Sequence, residues 1–129
     1  MIVVDSSAIL AIAQNEAAQE RCREIMMSSS ELLIAAGTLT ELLIVAQGRG
    51  IYQNVLSLLD SLDLQIVDVT PDVAYRIGEA YRLWGKGFHP AGLNFGDCFA
   101  YEAAKSRNCP LLFVGDDFGR TDVRTALAA

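Results

Sequence analysis

Four short apolar runs punctuate this chain, and stretches with helical spacing lie between them. That alternation restricts the possible folds more than any other feature. Met1 to Val4, Leu32 to Ala36, Gln65 to Val69 and Leu111 to Val114 are each four or five residues long and built mostly of Val, Ile, Leu and Ala. Runs this short, apolar on successive residues, fit strands buried on both faces of a parallel sheet. Between them, Ala18, Cys22, Ile25 and Met26 line one helix face, Val55, Leu58, Leu59 and Leu62 a second, and Val73, Ile77, Ala80 and Trp84 a third. The expected class is α/β with a mostly parallel central sheet. At 129 residues and 52% hydrophobic, one domain over residues 1–129 buries a core without disulfides or metal staples.

Boundary signals sharpen the elements. A helix begins over Ala8 to Ala13, directly after Asp5, Ser6 and Ser7. Gly37 closes the second strand, and Thr38 opens a helix to Gln47 that the Gly48-Arg49-Gly50 turn ends. Thr70-Pro71-Asp72 caps the long helix with proline in its first turn. Asn94 caps a helix that runs to Ser106–Asn108. Gly85 to Gly92, with Lys86 and His89, is the one Gly/Pro-rich loop and is expected to form a rim over a site. Thr121 to Ala129 is expected to be a tail with a short last strand and a frayed end.

Composition excludes several classes. No apolar run approaches the roughly 18 to 20 residues of a membrane span, and the first residues lack a basic leader, so a cytoplasmic protein without membrane contact is expected. Cys22, Cys98 and Cys109 show no C-x-x-C spacing and are expected to be reduced core thiols. A net charge of −6 argues against sequence-independent binding of duplex DNA. The charge is uneven: residues 1–75 hold three arginines and ten acids, −7, while residues 76–129 hold seven basic residues and six acids, +1. A polyanion therefore belongs nearer the second half, where Lys86 and Arg120 flank acidic turns.

The chemistry lies in the acids. Asp5 ends the first strand, Glu41 and Asp97 are expected in the first turns of two helices, and Asp116 and Asp117 follow the last core strand. Each has a plain alternative. Asp5 and Asp97 suit helix caps, Thr38 and Glu41 have capping-box spacing, and Asp116 and Asp117 suit a turn. Together, all of them can face one edge of a parallel sheet, where ligands bind. Clustered carboxylates repel one another, and a divalent cation is the simplest means of keeping them ionised. Oxygen-only ligands point to Mg²⁺ or Mn²⁺, and such a site suits phosphodiester hydrolysis. His89 is expected to be a surface or packing residue, and Tyr81, Trp84 and Tyr101 to pack in the core or an interface.

These residues carry a resemblance. Ile2-Val3-Val4-Asp5-Ser6-Ser7-Ala8, Thr38-Leu39-Thr40-Glu41, the run from Gly85 through His89-Pro90-Ala91 to Asn94-Phe95-Gly96-Asp97, and Leu111 through Gly115-Asp116-Asp117-Phe118 resemble, in order and spacing, the PIN-domain ribonucleases of the VapC toxin type. The resemblance spans essentially the whole chain. It implies an α/β/α sandwich and a Mg²⁺-dependent endoribonuclease. Asp5 and Asp97 match the principal metal ligands, Glu41 the second acid, and Ser6 the hydroxyl beside the first acid. Many members carry T-x-D-x-D-F, and alignment on Phe118 puts Gly115 at the first of those acids and Asp117 at the second. Asp117 is thus the expected fourth acid, with Asp116 the alternative. The resemblance further implies a homodimer, a VapB antitoxin partner and an RNA substrate, single-stranded or looped. Two rival readings fit less well: a phosphatase or receiver domain lacks its D-x-D or acidic pair here, and a non-catalytic binding module on the same fold has no evident need of four acids.

Overall fold

The computed structural model describes residues 1–127. Its elements are β1 (Ile2–Val4), α1 (Ser6–Ala13), α2 (Gln19–Ser28), β2 (Leu32–Ala35), α3 (Ala36–Gly48), α4 (Tyr52–Ser61), β3 (Leu64–Val67), α5 (Pro71–Trp84), α6 (Phe95–Ser106) and β4 (Leu111–Leu112). A short 3₁₀ turn follows at Phe118–Arg120. All strand pairs are parallel, in the order β3-β2-β1-β4.

Successive side chains of a strand point to opposite faces, and here each face meets a helical layer. Val3, Leu33, Ala35 and Leu111 pack with Val73, Ile77 and Ala80 of α5 and with Ala100, Tyr101 and Ala104 of α6. Ile2, Val4, Leu32 and Leu112 pack with Ile9 and Ile12 of α1, Cys22 and Met26 of α2, Leu42 of α3 and Val55 of α4. This two-sided burial is why the strands show no polar alternation, and each fully buried aliphatic side chain contributes about 1.5–3 kcal/mol. The result is the expected α/β/α sandwich.

Several boundaries differ from those expected, and those that bear on the site are at β2, α3 and β4. β2 ends at Ala35 and α3 begins at Ala36 with no intervening loop and no side-chain cap, so Gly37 and Thr38 lie inside the helix. Thr38 is fully buried and its hydroxyl has no partner, so the expected Thr38–Glu41 capping box does not form. Glu41 consequently sits in the second turn of α3, not the first. β4 is only two residues long because the chain turns away at Gly115, whose φ of +114° suits only glycine. The expected last strand is a single bridge between Leu111 and Thr125, and the end of the tail, residues 128–129, lies outside the described residues.

Three further expectations hold: a helix cap, the buried cysteines and the aromatic packing. Thr70 accepts from the Val73 N–H with Pro71 in the first turn. The three cysteines are buried thiols, and burial pushes Cys98 up to about 11. Trp84 Nε1 donates to the Tyr101 hydroxyl, which donates to Asp122, so this aromatic group packs α5 onto α6. Among the described residues, no helix is long and apolar enough to cross a membrane.

Candidate active site

The chain passes from β1 to β2 to β3 on one side, then returns to place β4 on the other side of β1. The switch point therefore falls between the carboxyl ends of β1 and β4, where open parallel sheets leave a crevice for ligands. Asp5 stands at the end of β1 and the 114–118 turn follows β4. Ser7 joins the two ends: its hydroxyl donates to Asp5 Oδ2 at 2.6 Å and accepts from the Val114 N–H at 2.9 Å.

A cleft of about 320 Å³ opens there, lined by Asp5, Glu41, Asp97, Asp116 and Asp117 together with Ser6, Ser7, Val45, Arg49 and Asn94. All five acids singled out from the sequence thus face one space. Each of the three inner ones is tethered. Asp5 is buried and caps α1, its Oδ2 also taking the Ser7 N–H at 3.1 Å, while Oδ1 is buried without any partner. Glu41 Oε1 accepts from the Ser6 hydroxyl at 3.2 Å. Asp97 completes a capping box with Asn94: its Oδ2 accepts from the Asn94 N–H at 3.0 Å while its own N–H donates to Asn94 Oδ1 at 2.8 Å. For Asp97, cap and cleft are therefore one arrangement. Gly96 beside it leaves room for the Glu41 carboxylate, which a Cβ there would displace.

The electrostatics follow from burial without counter-charge. Burial pushes Asp5 up, opposed by the Ser7 hydrogen bonds and reinforced by the Glu41 charge. Glu41 is raised by burial and by Asp97. Asp97 rises to about 6 through burial and the charges of Asp5 and Asp117, against the Asn94 hydrogen bond. Among the described residues, no three Asp, Glu, His or Cys side chains are already drawn together as a finished ligand set. Mutual repulsion favours that spacing, and the unpartnered Asp5 oxygen and the oxygen-only donors suit a hard divalent cation.

Two expectations fail here. Among the described residues, neither the 85–92 loop nor Arg120 lines the cleft. The Lys86 backbone N–H donates to the Leu93 carbonyl and closes the base of the loop, and the Arg120 guanidinium donates to the Pro90 carbonyl. His89 packs edge-on to Trp84 at 4.6 Å and accepts from the Ala91 N–H through Nδ1, which is a packing role. The sequence reading missed Arg49, which does line the cleft. The available signal was the spacing Glu41, Val45, Arg49, one residue per turn on a single face of α3.

The chain matches the PIN domain family over residues 2–124. It is 39% identical to ribonuclease VapC42 of Mycobacterium tuberculosis, covering 97% of this chain and 98% of that one, and 36% identical to ribonuclease VapC30 of the same species, covering 96% and 97%. In fold it is similar to M. tuberculosis VapC20, described as a sarcin-ricin loop cleaving toxin, with a TM-score of 0.78, 14% identity and coverage of 95% and 96%. It is also similar to VapBC2 of Rickettsia felis bound to a promoter DNA fragment, with a TM-score of 0.70, 18% identity and coverage of 97% and 96%. With its acids on the switch point of a parallel sheet and its relatives matched over nearly their whole length, the chain belongs to the PIN-domain family and, within it, to the VapC ribonucleases.

Proposed function

We propose that this chain is an endoribonuclease, the toxin of a VapB–VapC pair, and that Asp5, Glu41, Asp97 and Asp117 hold Mg²⁺ or Mn²⁺ for the hydrolysis of RNA phosphodiester bonds. The observation that carries this reading is the convergence of the acids on one cleft in which Asp5 keeps a buried oxygen without a partner. A divalent cation bound there supplies the Lewis acidity and positive charge that hydrolysis at phosphorus needs. The chain's own residues orient the donors. Ser7 holds Asp5 by Oδ2 and leaves Oδ1 available, Ser6 holds Glu41 by one oxygen, and Asn94 fixes Asp97. Asp117 is the fourth acid in preference to Asp116, because its charge bears on Asp97.

The substrate is single-stranded or looped RNA, whose splayed bases are open to reading, cut in the cytoplasm. The partner is a VapB-type antitoxin, for which the −7 charge of residues 1–75 suits a basic peptide. Ile44 and Phe95, both exposed, border an apolar cavity of about 440 Å³ beside the acid cleft, and this face supports pairing with a second copy as a homodimer.

Cleavage of structured and unstructured RNAs by antitoxin-free protein, in Mg²⁺, Mn²⁺ and EDTA, tests the reading. Wild type should cut only with metal, and Asp97→Asn should lose about a hundredfold or more in rate with unchanged circular dichroism. Equal cutting in EDTA, or by the variant, would contradict it. Absence of cutting with cation demonstrably bound would indicate a binding module.

A further inference from the structure

Five carboxylates and a single cation, Arg49, line the acid cleft among the described residues. An arginine placed there to neutralise the acids would be ion-paired with one of them, but Arg49 is not. Its Nη1 donates to the neutral Gln14 Oε1 at 2.6 Å, and no carboxylate accepts from it among the described residues. Gln14 is the C-cap of α1 and Arg49 the C-cap of α3, so the two helix ends hold the guanidinium from a fixed frame. One edge is tethered by a neutral group and the full positive charge remains for an anion. Glu41, Val45 and Arg49 form one stripe along α3, which sets Arg49 about 12 Å along the helix from Glu41. Arg49 thus lines the same cleft from about two helical turns beyond Glu41, a rise that suits a neighbouring phosphate of a strand running through the cleft.

We infer that Arg49 is a positioning residue that binds an RNA phosphate flanking the one being cut, with Gln14 orienting it. This inference rests on the ribonuclease reading of the same cleft. The planar guanidinium fork matches a phosphate with two parallel hydrogen bonds. It also resolves a difficulty of charge: a cleft with five acids repels a polyanion, and one unpaired cation at its edge sets where the strand enters. Lys86 and Arg120, outside the cleft, take no part in this contact.

The test measures binding of a fluorescein-labelled, mixed-sequence single-stranded RNA to the full chain in EDTA across a NaCl series, beside steady-state cleavage in Mg²⁺. For Arg49→Ala, affinity should fall about tenfold at low salt, and the slope of log K against log salt should shrink by about 0.7, one single-strand phosphate contact. KM should rise with kcat little changed, the signature of lost uniform binding. Arg49→Lys should keep the salt slope, and Lys86→Ala and Arg120→Ala should leave slope and KM at wild-type values. An unchanged slope in Arg49→Ala, with or without a lower melting temperature, would reduce Arg49 to a tether between helices and overturn the inference. A slope that depends on Arg49 in a protein that cuts no RNA would keep the phosphate contact and remove the nuclease. Cutting by wild type with an Arg49-independent slope would do the reverse.

Discussion

Asp97 shows how one carboxylate can both cap a helix and face the acid cleft. Its capping box with Asn94 fixes the side chain, yet burial and the charges of Asp5 and Asp117 raise it to about 6. A folded-state value above the unfolded value of 3.8 means that its stabilising contribution is present in full below pH 3.8. It is lost as pH rises through about 6. Asn stays neutral throughout and can still accept the Asn94 N–H. Asp97→Asn should therefore raise the stability of metal-free protein at pH 7.5 by on the order of 1 kcal/mol, a figure reduced for its partial exposure, with the gain gone near pH 4. Urea unfolding in EDTA at both pH values measures this; a variant less stable at pH 7.5 would show that the charged cap outweighs the repulsion. At this scale Asp5 and Asp97 were legible, since each combines a strand end or an N-cap with an acid. Arg49 was not, because Gly48-Arg49-Gly50 resembles turn punctuation until α3 is known to run unbroken to Gly48.

Among the elements, α3 departs most from its sequence signals. Thr38-x-x-Glu41 has the spacing of a capping box, but β2 runs straight into the helix, and a junction without loop or side-chain cap leaves no local mark. The change of frame is what frees Glu41 to reach Ser6. It also leaves the Thr38 hydroxyl buried and unpartnered. Thr38→Val should accordingly leave stability unchanged or raise it by about 1 kcal/mol, whereas removal of a true N-cap would cost about 1 kcal/mol. Thermal or urea unfolding separates the two signs. The other helices were readable because 3.6-residue periodicity survives any packing partner, as Val73, Ile77 and Ala80 of α5 show by all being buried. β4 was overestimated because Phe113 is buried for packing against Phe118, not for sheet pairing.

For the whole molecule, the apolar runs establish that the strands are buried but not which are neighbours. The order β3-β2-β1-β4 creates the switch point, and only that order brings Asp5 beside the 116–117 turn with Ser7 bridging the two strand ends. Long-range topology thus brings five locally ambiguous acids to one cleft. The same topology puts the loop with Lys86 outside the cleft, against the expectation from charge distribution along the chain. Whether these acids form one cation site is tested by anomalous diffraction from crystals of the antitoxin-free chain soaked in Mn²⁺. A manganese peak should stand in the acid cleft within bonding distance of Asp5 and Asp97, and be absent from Asp5→Asn crystals grown alike. A cleft without a peak at Mn²⁺ concentrations that support RNA cleavage, or a peak unaffected by the substitution, would contradict it.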